Sequence, residues 1–193
     1  MKAWPLRLIV AGLAAVLLSG CVGLLLGGTA VGVGVAHDRR TTGTVMDDQT
    51  VELKIYDALN KKLPPGNRIS ATSYNGVVLL TGEAVSEGVK QQADAVVRGI
   101  APPVREVYNE LVVARPNPLS ARSNDSFLTS KVKAALFKIR INDFDPSRVK
   151  VVTDRSVVYL MGLVRPNEGD AAANVASQVS GVRQVVTLFE FIN

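Results

Sequence analysis

The sequence predicts an α+β protein in which one small domain, with the element order α-β-β-α-β, occurs twice. The main observation is an internal repeat. Three blocks recur in the same order at offsets of 77, 80 and 78 residues, which is typical of a duplicated structural unit. The paired blocks are residues 48–59 with 125–136, 76–82 with 156–162, and 104–107 with 182–185. A helical spacing in the first block and a hairpin signal in the second give each copy its secondary structure.

Each copy begins with a predicted helix. Apolar residues recur at every fourth position, as on the buried side of an amphipathic helix. They are Val51, Ile55 and Leu59 in the first copy and Leu128, Val132 and Leu136 in the second. Asp48 and Asp125 precede these runs. Because aspartate is a favoured N-cap residue, we expect the two helices to begin there.

Two strands follow in each copy. The predicted strands are residues 68–74 and 77–81 in the first copy and 149–153 and 156–161 in the second. In the first copy they flank Asn75-Gly76, the strongest short signal for a β-hairpin. In the second copy Asp154-Arg155 is expected to replace that turn.

A second helix and a last strand complete each copy. The helices are predicted at residues 87–100 and 167–179, and Pro166 is well placed to open the latter. The last strands are residues 106–113 and 184–191. Because a strand–helix–strand unit makes a right-handed parallel crossover, each copy should form a three-stranded mixed sheet with two helices packed on one face.

Gly82 and Gly162 end the second strand of their copies in the same way. A side chain there would collide with a neighbouring element or require an unfavourable φ, so we interpret both glycines as structural.

The N-terminus has the pattern of a secretory signal peptide. Lys2 and Arg7 precede an apolar segment from Leu8 to Leu18, and small residues follow. The alternative is an uncleaved membrane helix, since no charge lies between residues 8 and 36. Five of the fifteen residues from 22 to 36 are glycine, which weakens a helix by about 1 kcal/mol each and favours the signal peptide.

Leu18-Ser19-Gly20-Cys21 resembles the lipobox of bacterial lipoproteins, and Cys21 is the only cysteine in the chain. The resemblance implies cleavage before Cys21 and acylation of its thiol and new amino group with fatty acids such as palmitate. Two or more acyl chains anchor a protein stably, whereas one does so only marginally. The residue after the cysteine is Val22 rather than aspartate. By the same resemblance the protein is expected at the periplasmic side of the outer membrane.

Composition excludes several classes of function. The formal charge is +5, or +3 after loss of the signal peptide, too mild a balance to indicate a nucleic-acid binder. The single histidine, His37, lies in the predicted tether, and the sequence has neither a Cys/His metal cluster nor a phosphate-loop or nucleophile-elbow motif. We therefore expect no catalytic residue, metal or cofactor, and no enzymatic activity.

The repeat defines the expected domain boundaries. They are a signal peptide at 1–20, the acylated cysteine and a flexible linker at 21–45, a first domain at 46–114, a second linker at 115–123 and a second domain at 124–193. Arg39 and Arg40 are expected to be solvated linker charges.

The repeated unit resembles the BON domain of bacterial envelope proteins. The similarity rests on the strand ends at 78–82 and 158–162 and on the Val-Arg-x-Val segments at 104–107 and 182–185. Two such motifs behind a lipobox resemble tandem-BON outer-membrane lipoproteins. That resemblance implies binding to anionic phospholipids such as phosphatidylglycerol and cardiolipin, support of outer-membrane integrity and enrichment at cell-division sites.

A residue present in only one copy is not required by the shared fold. Phe127 in the second copy corresponds to Thr50 in the first, and it falls on a predicted stripe with Lys131, Ala134 and Lys138. An apolar side chain at the tip of a lysine-lined helix is typical of an interfacial membrane contact. The alternative is a hydrophobic staple that folds back on the helix. The family resemblance favours membrane contact.

Charge distribution agrees with that assignment. Residues 46–114 carry a net charge of −2 and residues 123–193 a net charge of +2. Lys131, Lys133, Lys138 and Arg140 place four basic residues within ten positions, and each is worth about 1 kcal/mol near an anionic lipid surface. We predict these residues and Phe127 as the lipid-binding set. The alternative function is a protein–protein adaptor in envelope assembly, docking through an open sheet edge or a sheet face.

Overall fold

The computed structural model describes residues 38–101 and 104–193. Cys21, the predicted signal peptide and most of the predicted tether lie outside the described residues. Residues 39–193 form one compact unit. Among the described residues, no helix combines the length and apolarity needed to cross a bilayer.

Both copies fold as predicted, into an α+β arrangement with a mixed sheet in each. In the first copy the elements are α1 (Thr42–Lys62), β1 (Arg68–Tyr74), β2 (Val77–Ala84), α2 (Glu87–Arg98), β3 (Glu106–Asn109) and β4 (Val112–Val113). In the second copy they are α3 (Leu119–Leu136), a 3₁₀ helix (Pro146–Arg148), β5 (Lys150–Asp154), β6 (Val157–Val164), α4 (Pro166–Ser177) and β7 (Gln184–Phe191). The proline predicted to open the last helix does so.

Each sheet has its second strand in the centre. β1 is antiparallel to β2, which pairs in parallel with β3 and β4. β5 is antiparallel to β6, which pairs in parallel with β7. The last strand of the first copy was expected to be continuous, but it breaks after Asn109. There the Asn109 side chain accepts a hydrogen bond from the Leu111 amide at 3.3 Å, and Leu111 turns into the core with 1% exposure.

The expected acidic N-caps were wrong, because both first helices begin earlier. α1 starts after Thr41, whose hydroxyl accepts the Thr44 amide at 3.1 Å, and α3 starts after Pro118. Residues 42–45 and 119–123, predicted as linker, are therefore helical.

Asp48 and Asp125 instead lie inside the helices, buried, and hold the hairpin turns. Asp48 accepts the Asn75 and Gly76 amides at 2.7 and 2.9 Å. Asp125 accepts the amides of the corresponding turn residues, Arg155 and Ser156, both at 2.9 Å.

The second turn therefore consists of Arg155-Ser156 and not the expected Asp154-Arg155. Arg155 has φ 52° and Ser156 φ 61°, as the turn Asn75-Gly76 has φ 52° and 76°. Left-handed backbone is costly for arginine and serine. The buried carboxylate that accepts both amides offsets that cost.

The apolar residues form three clusters. In each copy, the helices and one face of the sheet enclose a core around Ile55, Val78 and Leu80 or around Val132, Val158 and Leu160. The third cluster unites the opposite faces of the two sheets and contains Tyr74, Leu79, Val157, Tyr159 and Met161. The domains therefore pack sheet against sheet, with their helices outward.

The glycines that end the central strands are in close contact with backbone. A Cβ on Gly82 would lie 1.9 Å from the carbonyl oxygen of Arg68, and φ is +117°. A Cβ on Gly162 would lie 2.7 Å from the carbonyl oxygen of Arg148. Any side chain at either position would therefore clash with a backbone carbonyl oxygen, which explains why both residues are glycine.

Gly82→Ala should lower the free energy of unfolding by at least about 2 kcal/mol, because strand pairing must open to admit the methyl group. The control is Gly88→Ala at the exposed start of α2, where an added Cβ meets nothing nearer than 3.9 Å. That change should be neutral or stabilise by up to about 1 kcal/mol. Urea denaturation measures both, and equal effects would contradict the steric explanation.

Candidate functional site

The helix α3 presents an unusual outward side. Leu119, Phe127 and Phe137 are 68, 62 and 69% exposed. At 100° per residue, these positions lie within about 80° of one another, on the side opposite the buried Leu128 and Val132. The residues between them on that side are small, namely Ser123, Ser130 and Ala134. The outward side is thus an apolar strip about 18 residues long with no bulky polar side chain at its centre.

The four predicted basic residues lie along and beyond the second half of this helix. Lys131 is half-buried, donates to the Ser180 carbonyl oxygen and places its Nζ 5.6 Å from the centroid of the Phe127 ring. Lys133 is exposed on the other side of the strip. Lys138 and Arg140 are exposed beyond the helix end at Leu136. They flank the apolar strip rather than forming one cluster.

Two details of the predicted site were wrong. Phe127 is in the middle of α3 and not at its tip, because the helix starts eight residues earlier. For the same reason it does not act as a staple, and its side chain is open to solvent.

Two apolar residues of the strip were missed. Phe137 is the C-cap of α3 and Leu119 is its first residue. Both lay outside the periodic block used to define the helix. A test for large apolar residues off the buried face would have found Phe137.

The corresponding helix of the first copy also has an outward apolar side. Met46, Leu53 and Tyr56 on α1 are 63, 70 and 65% exposed. Charge separates the two helices. Residues 126–142 include four basic residues and no acidic one, whereas α1 carries Asp47 and Asp57 as well as lysines. Of the two outward helix sides, that of α3 is flanked by basic residues, because its one acidic residue, Asp125, is buried.

The two arginines of the predicted tether are not solvated, which corrects that expectation. Arg39 forms a bidentate salt bridge with the fully buried Glu168, with N···O distances of 2.5 and 2.8 Å, and also donates to the Leu163 carbonyl oxygen. Arg40 pairs with Asp48 at 2.9 Å and stacks 3.7 Å from the ring centroid of Tyr74. Arg39 thus contacts the second domain and Arg40 the first.

A second charge network crosses the seam between the domains. Glu83, fully buried on β2, accepts from Arg68 at 2.7 Å and from Arg155 at 3.2 Å. Arg68 also reaches Asp154 of the second domain at 2.5 Å. Burial raises the pKa of Glu83, but the contacts with Arg68, the Asn117 backbone and Arg155 together hold the pKa below its ordinary value. For Asp154, burial outweighs the stabilising contact with Arg68, so its pKa is raised above the ordinary value.

The described residues contain no group of three or more metal-ligating side chains. The site is an apolar strip flanked by ammonium and guanidinium groups. Such a surface suits contact with a large anionic, partly apolar partner.

Comparison with known proteins defines the class. The BON domain model matches residues 47–115 and 124–193, so the chain belongs to the BON-domain family and carries two such domains. It is similar to the outer membrane lipoprotein DolP of Haemophilus influenzae, with 40% identity over 185 residues and 93% of each chain covered.

Two further relatives are more distant. The 21 kDa hemolysin of Actinobacillus pleuropneumoniae is 33% identical over 157 residues, covering 80% of this chain and 79% of that protein. The osmotically-inducible protein Y of Escherichia coli is 31% identical over 161 residues, covering 81% and 78%. None of these names indicates a catalytic family.

The buried Arg39–Glu168 pair should make stability depend on pH. The hydrogen bond from Arg39 is the main cause that lowers the pKa of Glu168 below its ordinary value of 4.5. A lowered carboxyl pKa contributes stability above the unfolded-state pKa, and this is lost as the pH falls through the folded-state value. Arg39→Gln should cost about 3 kcal/mol near neutral pH, because it leaves a buried carboxylate unpaired.

Urea denaturation of wild type and Arg39→Gln at about pH 7 and about pH 4 tests this prediction. The difference between the two should shrink at the lower pH. Arg98→Gln is the control, because Arg98 makes a similar two-pronged contact with Asp94 on the surface and should have little effect at either pH. A difference independent of pH would contradict the assigned role of Glu168.

Proposed function

We propose that this protein is a lipid-anchored, non-enzymatic component of the outer membrane, on its periplasmic side, that binds anionic phospholipid through α3 of its second BON domain. The similarity to an outer membrane lipoprotein supports the location. The lipobox-like Cys21 supplies the anchor. The proposed role is support of outer-membrane integrity, including at division sites.

The observation that carries lipid binding is the α3 strip. Burying one phenylalanine side chain in an apolar environment is worth about 1.5–3 kcal/mol, and the strip has two. Each basic residue near an anionic surface adds about 1 kcal/mol. Since the apolar side of α3 faces solvent, the helix can rest in the headgroup region with that side toward the acyl chains.

Phe127→Glu should reduce binding to vesicles of phosphatidylglycerol or cardiolipin by more than tenfold, because it adds a negative charge at the centre of the strip. The measurement is co-sedimentation of the unacylated chain from residue 22, with vesicles that contain or lack anionic lipid, at low and high salt. Wild-type binding should require anionic lipid and weaken with salt.

Leu53→Glu is the matched control, because Leu53 is equally exposed on α1 and the charge change is identical. Its vesicle binding should stay near that of wild type. Equal losses in both variants would show a general charge effect, and wild-type binding to neither vesicle would leave the acyl anchor as the membrane contact. Either result would overturn the assignment to α3.

A second candidate function, the protein adaptor, is favoured by the outward side of α1. Tyr56, beside the exposed Leu53, also lines an open pocket of about 350 Å³ with Leu63, Pro64 and Pro65. An apolar side chain of a partner protein would fit there, and the mixed charge of α1 gives no preference for anionic lipid. A photo-crosslinker at position 56 should capture a discrete envelope protein, and Leu53→Glu should abolish that product while Phe127→Glu preserves it.

A further inference from the structure

A groove of about 420 Å³ lies at the seam between the two domains, at the C-terminal end of α3. That size is within the roughly 300–1,000 Å³ of small-molecule sites. Both domains contribute to it. Its lining includes Arg40 and Tyr74 from the first domain and Lys133, Phe137, Ser147 and Lys150 from the second.

Three cationic groups face this groove from three elements. Arg40 is fixed against Asp48 and the Tyr74 ring. Lys150 is fixed between the Glu52 carboxylate at 2.9 Å and the Ser73 carbonyl oxygen at 3.2 Å. Lys133 is exposed on α3 and has no ion pair among the described residues. The groove thus has two prearranged cations and one exposed lysine.

The carboxylates beside the groove are occupied. Asp48 also accepts Ser73 Oγ and the two turn amides, and Glu52 also accepts the Ser73 amide at 2.7 Å. Asp145 accepts the Ser147 amide at 2.8 Å. An anion bound between Lys133, Lys150 and Arg40 would therefore add to satisfied ion pairs, with the Ser147 hydroxyl as a further donor.

We propose that this groove binds the phosphodiester headgroup of a single anionic glycerophospholipid. The phosphate would lie among the three cations and a glycerol hydroxyl near Ser147, while Phe137 contacts the apolar part of the same lipid. This inference rests on the proposed function, since Lys133 and Phe137 belong to the outward side of α3. It adds a headgroup-reading site, formed only where the two domains meet.

The test separates the headgroup site from general membrane adhesion. Three compounds are titrated separately into the unacylated chain from residue 22: dihexanoyl phosphatidylglycerol below its critical micelle concentration, glycerol 3-phosphate and inorganic phosphate. Isothermal titration calorimetry measures each affinity, and changes in the amide chemical shifts locate the site. The short lipid should shift the Ser147 and Lys150 amides and bind at least tenfold more tightly than inorganic phosphate. Equal affinities would identify a free-phosphate site and overturn the lipid assignment.

Ser147 is exposed, so its substitution does not disturb the core. Ser147→Glu should weaken binding of the short lipid at least fivefold, whereas Ser147→Lys should retain it. Gln91→Glu, with the same charge change on the exposed side of α2, is the control. Unchanged binding of the short lipid in both Ser147 variants would overturn the groove as the site. Loss of binding in both variants, with unchanged thermal unfolding, would show that a larger side chain at position 147 excludes the lipid and would support the groove as its site.

The Phe127→Glu variant distinguishes failure of this inference from failure of the proposed function. It should lose vesicle binding and keep the short-lipid shifts at Ser147. If Phe127→Glu abolishes vesicle binding while the short lipid causes no amide shift at the groove in the wild type, the result supports lipid binding by the α3 strip and overturns the headgroup site.

Discussion

The packing of the two sheets against each other is the interaction on which the rest of this structure depends. In each domain the helices cover one face of the sheet, and the opposite face is also apolar. Here that face holds Leu79 in the first domain and Tyr159 and Met161 in the second, all at most 5% exposed. Because separating the domains would expose these apolar faces to water and lose their hydrophobic stabilisation, the two domains form one unit with the helices outside. The outward position of α1 and α3 is a consequence.

Charge fixes how the sheets meet. The apolar cluster alone would tolerate sliding or rotation, since hydrophobic contact is non-directional. At one side Glu83 binds arginines from both domains, and at another Lys150 pairs with Glu52 across the seam. Glu83 is buried, and breaking its pairs by misalignment would leave an unpaired buried charge, whereas the Lys150–Glu52 pair is partly exposed and contributes less. They therefore select one register, and the groove at Arg40 and Lys150 exists only in that register.

Most of the fold within each copy could be predicted from the sequence, because a repeated pattern shows which residues the fold itself requires. β1 and β7 have their predicted bounds. The helix starts could not be predicted, since Asp48 and Asp125 resemble N-caps, and the turn amides that donate to their carboxylates are distant in sequence. The sheet interface was also missed, although the apolar run at the start of β2 indicates a strand buried on both faces. Which surface covers it depends on residues that differ between copies, such as Asp154, whose counterpart in the first copy is Tyr74.

The arginines before α1 connect the anchor end of the chain to this geometry. Arg39 reaches Glu168 of the second domain and the next residue, Arg40, reaches Asp48 of the first, so the chain enters the two-domain unit at the seam. Arg40 lies nineteen positions after Cys21 in the sequence, a distance of at most about 65 Å in a fully extended chain. In the proposed function, an acyl anchor at Cys21 raises the local concentration of the unit at the membrane without orienting it. The proposed lipid contact through the α3 strip, next to the seam, would then set the orientation, because the strip combines exposed apolar area with flanking positive charge.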